Sequence, residues 1–385
     1  MRPALPILTT LTTTLTKAPH ATLVGRLLTP QGPSIVTTHN NHFVDITCPQ
    51  FPTISSLFNH HDPLSVVQDL ATRSPVLGHV EPLLASLLSP ADLQPVKACG
   101  VTFAKSMLER VIEEHTGGDR TQAQAFRQTL TASLGELDLS TIVPGSTESK
   151  ALKAHLSTMG LWSQYLEVGL GPDAEVFTKC QPLSSVGSGA DVGIHSCSTW
   201  NNPEPELVLA VNRHGRIVGA TLGNDVNLRD VEGRSALLLG KAKDNNASCS
   251  MGPMVRLLDK GFALEDLHTL DIALQIDGTA SDGFQLSDTS ALSLISRALE
   301  ELVEQTMSEH QYPDGFMLFT GTAFSPTQDR GEVGNGFSHE RGDVVAISNG
   351  QIGTLVNTVR TASECPPWTF GMHALMRNLA KRKLL

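Results

Sequence analysis

The chain has 385 residues, of which 40% are hydrophobic and 17% are charged, a balance typical of a globular protein with an ordinary core. Its 28 basic and 39 acidic residues give a formal net charge of −11, which argues against nucleic acid as a partner. No apolar run approaches the roughly 20 residues of a membrane span, so no membrane partner is expected. Small molecules or other proteins are the expected partners.

The N-terminal stretch MRPALPILTTLTTTLTK is rich in Thr and free of acidic residues, which is typical of some targeting segments. Its apolar run is interrupted by Thr and it lacks a small-residue cleavage site, so we interpret the protein as cytoplasmic. The six cysteines are scattered without a C-x-x-C pair. This spacing disfavours a zinc site or a disulfide scaffold and indicates reduced thiols.

Residues 1–94 combine short strand-like segments such as ATLVGRLL and HFVDIT with short helical ones such as PLSVVQDLA. We predict that they form a small N-terminal α/β domain, followed by a larger catalytic domain over residues 95–385. The larger domain begins with a predicted strand and a helix that ends at Gly117 and Gly118.

From LEVGLGPDAEVFTKC onward, β-branched and aliphatic runs alternate with turns rich in Gly, Asn and Asp. Two segments of this region are predicted to be helical, RDVEGRSALLLGKAK and ALSLISRALEELVEQTM. Many strands with few helices predict an α+β fold that is mostly β, with a rolled or closed sheet.

The segment WNNPEPELVLAVN places two carboxylates at the head of a predicted strand. Glu204 and Glu206 are two residues apart, so both project from the same face of the strand. Both faces continue with apolar residues, which predicts a strand that is buried on both sides. One interpretation is a solvent-facing strand end, because Pro203 and Pro205 favour the first residues of a strand or an edge.

The other interpretation is a metal site. A third carboxylate, Asp225, ends the predicted strand of GATLGNDVNLRD, and three hard oxygen ligands suit Mg²⁺, Mn²⁺ or Ca²⁺. Carboxylates held side by side repel each other unless a cation compensates them. A shared ion would therefore explain two like charges in a buried strand.

Five segments resemble, in order and spacing, the fumarylacetoacetate hydrolase family: WNNPEPELVLAV, GATLGNDVNLRD, KDNNASCSMGP, FTGTAFSP and RGDVVAISNGQIGTLVNTV. The resemblance covers about residues 95–385, and the Glu-x-Glu pair and the Asn-Asp-x-x-x-Arg-Asp segment are its most specific parts. It implies a catalytic domain of rolled β-structure and a divalent metal, Mg²⁺ above others, that chelates a 2-oxo acid. The implied metal ligands are Glu204, Glu206 and Asp225.

The resemblance also implies residues that bind the substrate. Lys243, which precedes DNNASCSMGP, would face the substrate, and Thr322 of the TGT segment would bind its carboxylate. Asn224 and Arg229 of NDVNLRD are further candidates for substrate binding. A surface lysine and a turn threonine are the alternatives for Lys243 and Thr322.

One segment departs from the hydrolytic members of the family, whose pattern N-Y-x-x-H-x-x-E supplies a His and a Glu that activate water for carbon–carbon cleavage. The matching segment here is TFAKSMLE, with Ser106 at the histidine position and Glu109 retained. A hydroxyl cannot act as a base near neutral pH, so hydrolysis is disfavoured. Ser106 and Glu109 stay candidate catalytic residues, Glu109 for proton transfer. The alternative for Glu109 is an i, i+4 pair with Glu113 on a solvent-facing helix.

Four further segments are GVTFAKSMLERVIEE, GLWSQYLEV, EGRSALLLGKAKDNNASC and the C-terminal PWTFGMHALMRNLAKRKLL. With them, the whole chain resembles, within the family, the bacterial 2-keto-3-deoxypentonate dehydratases of pentose catabolism. This implies conversion of 2-keto-3-deoxy-D-pentonate (xylonate/arabinonate) to 2-oxoglutarate semialdehyde through a metal-stabilised enolate. Lys243 would be the base or support the enolate, Glu109 would act at C4, and the protein would be a homodimer or homotetramer. The alternatives are an acylpyruvate-type hydrolase, a lyase in which Lys243 forms a Schiff base, and a non-catalytic relative with a structural metal.

Overall fold

The computed structural model describes Leu15 and residues 20–134, 142–158, 160 and 162–385. The N-terminal stretch considered above as a targeting segment lies, apart from Leu15, outside these residues. Among the helices that are described, none combines the length and the apolar character needed to cross a membrane.

Strands outnumber helices, as the sequence predicts. The strands are β1 Leu23–Thr29, β2 Gly32–His39, β3 His42–Asp45, β4 Val76–His79, β5 Leu87–Leu88, β6 Val96–Gly100, β7 Glu175–Cys180, β8 Asp191–Ile194, β9 Asn201–Asn202, β10 Pro205–Val211, β11 Ile217–Asp225, β12 Asn227–Leu228, β13 Cys249–Leu257, β14 Asp271–Asp277, β15 Gln285–Ala291, β16 Phe316–Phe319, β17 Val344–Asn349 and β18 Gly353–Thr361. The helices are α1 Ile54–Phe58, α2 Pro63–Arg73, α3 Val80–Leu83, α4 Ala104–His115, α5 Arg120–Leu134, α6 Thr147–Thr158, α7 Gln164–Leu170, α8 Arg229–Glu232, α9 Leu239–Lys243, α10 Leu264–Leu267, α11 Leu299–Met307 and α12 Met372–Lys381.

Two sheets and a short ladder contain these strands. The largest sheet has eleven strands, in the order β4-β3-β2-β1-β13-β11-β10-β16-β6-β7 with β5 paired to β1, and a second sheet has the order β15-β14-β17-β18-β8. Strands β9 and β12 pair with each other. The predicted class, α+β and mostly β, is confirmed, although no sheet of the described residues closes into a barrel.

The N-terminal strands belong to the largest sheet, because β1 pairs with β13 through Leu23 opposite Arg256. The predicted boundary at residue 94 therefore crosses a continuous sheet. The division into residues 1–94 and 95–385 stays a prediction.

The three helices predicted after residue 95 agree with the structure to different degrees. The predicted helix that ends at Gly117 and Gly118 is α4, and both glycines have positive φ, a conformation that favours glycine at a helix end. Of the predicted helix over residues 291–307, only Leu299–Met307 is α-helical, and Leu292–Leu294 form a single 3-10 turn. Its first half is diverted because Ser296 donates its backbone N–H to the carbonyl of Thr102, 2.8 Å away. The predicted helix over 229–243 is split into α8 and α9.

Strand β10 lies inside the largest sheet, between β11 and β16, and all seven of its residues are buried. Leu207 and Leu209 pack into a core with the second sheet, whereas Val208 and Ala210 pack on the other face against a core that includes Ile54 of α1. The prediction of a strand buried on both sides is confirmed, and the solvent-facing interpretation of its head is wrong.

A substitution at Gly223 of β11 tests how tightly β10 and β11 are packed. A Cβ atom at Gly223 would lie 2.2 Å from Cε1 of Phe319 and 2.5 Å from Cγ2 of Val208. We expect Gly223→Ala to lower the free energy of unfolding by about 1–3 kcal/mol, because overpacking displaces core side chains. Urea unfolding measures the change. Gly240→Ala in α9, where nothing lies within 4 Å of the added Cβ, is the control and should be neutral or stabilising. Equal midpoints for the two variants would contradict the packing argument.

Candidate active site

The antiparallel pairing of β10 with β11 brings the three predicted metal ligands together. Pro205 lies opposite Asn224 and Glu206 opposite Gly223, so Asp225 at the end of β11 reaches the head of β10. The backbone N–H of Asp225 donates to the carbonyl of Glu204 at 3.0 Å. Glu204, Glu206 and Asp225 each offer a carboxylate oxygen within 4.8 Å of the other two.

These carboxylates lie in a dry environment, with exposed fractions of 2% for Glu204, 1% for Glu206 and 1% for Asp225. Burial raises the pKa of Glu206 well above its ordinary value, and repulsion by Asp225 and Glu204 raises it further. Its one hydrogen bond in the described part of the chain is from the backbone N–H of Gly321, at 2.7 Å. A buried set of three carboxylates, one of them without a cationic partner, fits a hard divalent cation.

Three buried cations contact the other two carboxylates. Lys243 Nζ lies 2.5 Å from Glu204 Oε2 and 3.0 Å from Asp225 Oδ2. Lys179 Nζ lies 2.7 Å from Asp225 Oδ1, and Arg110 donates to Glu204 Oε1. These contacts hold Glu204 and Asp225 in place at the head of the strand pair.

The contacts of Lys243 favour its protonated form. Burial acts to lower its pKa, but the carboxylates of Asp225 and Glu204 outweigh burial and raise the pKa above its ordinary value. Of the two predicted roles for Lys243, these contacts favour support of negative charge over that of a base. The surface alternative for Lys243 is wrong, because the side chain is buried.

A small closed cavity of about 10 Å³ adjoins the cluster. That volume holds about one water molecule, so a larger ligand enters only if neighbouring side chains move. The cavity is lined by the three carboxylates and by Arg110 and Lys243. Its wall also includes Ser106, Glu175, Phe177, Glu232 and Thr322.

Of three predicted residues, Ser106 and Thr322 line the cavity and Asn224 does not. Ser106 faces the cavity, but its hydroxyl donates to the carbonyl of Phe103 at 2.9 Å. Thr322 also lines the cavity and donates to the carbonyl of Phe324 at 2.9 Å. Asn224 accepts the backbone N–H of Glu204 at 3.2 Å. Their predicted catalytic and substrate-binding roles stay predictions.

Glu109 and Arg229 lie in a neighbouring ion-pair network and do not line the cavity. Glu109 accepts two hydrogen bonds from Arg127, at 2.9 and 2.8 Å, and one from Arg229 at 2.7 Å. Burial acts to raise the pKa of Glu109, but the two guanidinium groups outweigh it and the pKa lies below its ordinary value. Arg229 also donates to Glu113 at 2.6 Å and stacks on Trp200. Both side chains are buried, so the solvent-facing alternative for Glu109 is wrong, and its contacts disfavour proton transfer.

Sequence reasoning missed four charged residues of the site, namely Arg110, Glu175, Lys179 and Glu232. Burial raises the pKa of Glu175, although Arg110 and Lys243 oppose the increase. Burial also raises the pKa of Glu232 to about 7, against the effect of Arg110. A usable signal existed for two of them, because Glu175 and Lys179 are four residues apart on β7 and therefore share a face.

The sequence of this chain also matches a known protein family. The model of the fumarylacetoacetate hydrolase C-terminal domain matches residues 147–360, more than half of the chain. The chain belongs to the fumarylacetoacetate hydrolase family, as the sequence motifs predict.

Two relatives and one solved structure are similar to this chain. Over 186 residues, the chain is 32% identical to the 2-dehydro-3-deoxy-D-arabinonate dehydratase of Saccharolobus solfataricus. The aligned residues make up 48% of this chain and 58% of the relative. The chain is 35% identical over 198 residues to the probable 2-keto-3-deoxyxylonate dehydratase of Haloferax volcanii, 51% of this chain and 64% of the relative. Each match thus spans less than two thirds of the relative. A solved 2-keto-3-deoxy-D-arabinonate dehydratase, complexed with magnesium and 2,5-dioxopentanoate, shares the fold with a TM-score of 0.60 and 21% identity, over 88% of this chain and 99% of that one.

Glu206→Gln tests whether the carboxylate cluster binds a divalent ion. We expect Mg²⁺ at about 100-fold above its Kd to stabilise the wild-type protein by about 2.7 kcal/mol, and to stabilise the variant far less. In EDTA the variant should be at least as stable as the wild type, because an uncharged amide removes repulsion between buried carboxylates. Thermal unfolding with and without Mg²⁺ measures both effects. Glu304→Gln, at an exposed position of α11, is the matched control, and an unchanged Mg²⁺ effect in Glu206→Gln would refute the assignment.

Glu109→Gln tests the structural role of the neighbouring network. We expect the free energy of unfolding at pH 7 to fall by about 3–5 kcal/mol, because Arg229 and Arg127 lose their shared counter-charge. The pKa of Glu109 is lowered by folding, so its stabilisation is complete above the unfolded-state pKa of about 4.3 and is lost as the pH falls through the lower folded-state pKa. Urea unfolding from pH 7 to pH 3 should therefore show the two proteins converging in stability. A fully stable variant that has lost activity would instead favour proton transfer.

Proposed function

We propose that this protein is a divalent-metal-dependent hydro-lyase that converts 2-keto-3-deoxy-D-pentonate (xylonate/arabinonate) to 2-oxoglutarate semialdehyde. The observation that carries the proposal is the buried cluster of Glu204, Glu206 and Asp225 with the Lys243 ammonium group beside it. The names of both relatives support this substrate class. The ligand of the similar solved structure, 2,5-dioxopentanoate, is the same compound as the proposed product.

The donor set suits a metal that binds oxygen ligands, and Mg²⁺ is the ion we propose, with Mn²⁺ or Ca²⁺ as alternatives. When bound by Glu204, Glu206 and Asp225, such an ion supplies a Lewis acid for the carboxylate and ketone of a 2-oxo acid. Arg110 and Lys179 orient Glu204 and Asp225 for this role through the contacts described above.

The side chains of the site have separate roles in the proposed dehydration. Dehydration removes a proton at C3 and expels the C4 hydroxyl as water. Loss of a C5 proton and protonation at C3 then give the enol of the aldehyde, and protonation at C4 with loss of the C5 hydroxyl proton gives the semialdehyde. The Lys243 ammonium group supports the negative charge that develops on the C2 oxygen. Glu175 lines the cavity with a raised pKa, so we assign proton transfer to Glu175 in place of Glu109. Thr322 remains our candidate for the substrate carboxylate.

Two rival chemistries are less well supported. Hydrolysis needs a base that activates water, and the cavity wall of the described residues contains no histidine. A Schiff base needs a neutral amine, whereas Lys243 is paired with two carboxylates. Borohydride trapping of Lys243 with substrate, together with activity that survives EDTA, would favour the Schiff-base lyase.

The setting of the enzyme is proposed on more general grounds. Six free cysteines agree with a reducing compartment such as the cytoplasm. A homodimer or homotetramer is proposed from the family resemblance.

Turnover of 2-keto-3-deoxy-D-xylonate, which is the same compound as the D-arabinonate derivative, tests the proposal. With Mg²⁺ in D₂O, the wild-type protein should release an aldehyde that carries deuterium at C3, and no pyruvate. Glu175→Gln should lower kcat by about 100-fold or more if Glu175 transfers a proton, whereas Glu304→Gln should not. Cleavage of acylpyruvates at a rate comparable to dehydration would restore the hydrolase alternative. Tight metal binding without turnover of any 2-oxo acid would favour the non-catalytic relative.

A further inference from the structure

A groove of about 950 Å³ lies apart from the candidate active site, and the two share no lining residue. Its volume is within the range of small-molecule sites. The wall combines apolar side chains, among them Leu88, Val186 and Phe370, with the cationic side chains of Arg26 and Arg360. The groove therefore offers both an apolar surface and positive charge.

Arg26 is a buried cation without a carboxylate partner. It lies on β1 with an exposed fraction of 6%, and its Nη1 donates to the carbonyls of Ser89 and Ala91, at 3.3 and 2.5 Å. Its other N–H groups have no hydrogen-bond partner and no ion pair among the described residues. Arg26 lines the groove, so a carboxylate bound there can pair with these N–H groups through charge-assisted hydrogen bonds.

Asp92 is the acidic group that acts on the charge of Arg26, but its carboxylate oxygens already accept other hydrogen bonds. Asp92 Oδ2 accepts the backbone N–H of Ile54 at 2.6 Å, and Oδ1 accepts those of Ser55 and Leu93 at 3.1 and 2.7 Å. Its carboxylate thus binds the start of α1. Burial lowers the pKa of Arg26 and Asp92 offsets only part of that effect, so the guanidinium lacks a full counter-charge.

The other charged groups of the groove limit the charge of its ligand. Arg360 Nε lies 3.8 Å from Asp191 Oδ1, too far for a hydrogen bond, and its side chain is partly exposed. Both Arg360 and Asp191 line the groove. The Asp191 carboxylate repels a second negative charge on the ligand, which favours a monoanion over a dianion.

We propose that this groove binds a small monocarboxylate with an apolar tail. Its carboxylate pairs with the free N–H groups of Arg26, and its tail packs against Leu88, Val186 and Phe370. This ligand class differs from the hydroxylated sugar acids of the proposed reaction, so the inference does not depend on that reaction.

Calorimetry of the protein in EDTA, with acetate, butanoate, hexanoate and octanoate as probes, tests the proposal. The affinity should rise by about fourfold for each added methylene group that is buried. Inorganic phosphate should bind at least tenfold more weakly than octanoate. No detectable binding, affinity independent of chain length, or tighter binding of phosphate would each overturn the proposal.

Variants locate the binding. Arg26→Met should weaken octanoate binding at least tenfold, whereas Arg213→Gln, at an exposed position outside the groove, should not change it. Because Arg26→Met removes a buried side chain, Leu28→Glu provides a second test at a groove position that is 55% exposed. Its charge should abolish binding that Leu28→Gln retains. Binding that survives in Leu28→Glu would refute the site. A wild-type oligomer that binds no carboxylate and dissociates in Arg26→Met would assign the groove to a subunit interface.

Discussion

The burial of three carboxylates in mutual contact is the constraint on which the rest of the site depends. Removing such groups from water costs several kcal/mol each unless opposite charge compensates them. Lys179 and Lys243 supply part of that charge at Asp225, and Arg110 supplies it at Glu204. No described cation pairs with Glu206, and Arg110 is shared with Glu113 and Glu232, so negative charge is left in the cluster that a divalent ion can neutralise.

Strand periodicity indicated that the carboxylates share one face because their geometry is local, and the family resemblance implied that they are metal ligands. Strand alternation places Glu204 and Glu206 on one face, and the β10–β11 pairing requires only a short connection to bring in Asp225. Arg110 and Lys179 could not be predicted in the same way. They come from α4 and β7, and the packing of distant elements determines which carboxylate each one meets.

The same limit applies to the fold. The density of strands predicted the class, but the pairing of β1 with β13 joins segments that are more than two hundred residues apart. Residues 291–307 do not form one continuous α-helix, because Ser296 finds its backbone partner at Thr102. Helical composition in that segment is thus overridden by a long-range hydrogen bond that no local pattern contains.

Helix α4 determines which chemistry the cavity supports. Water activation requires a base at the cavity and a carboxylate that is free to accept a proton. The Ser106 hydroxyl at the cavity donates to the carbonyl of Phe103, the residue before α4, and Glu109 is held by Arg127 and Arg229. Arg110, the next residue, instead reaches into the cavity and fixes Glu204. The helix therefore contributes a cation that orders a metal ligand where a hydrolase would need a base, and this favours elimination, in which the substrate itself supplies the leaving water.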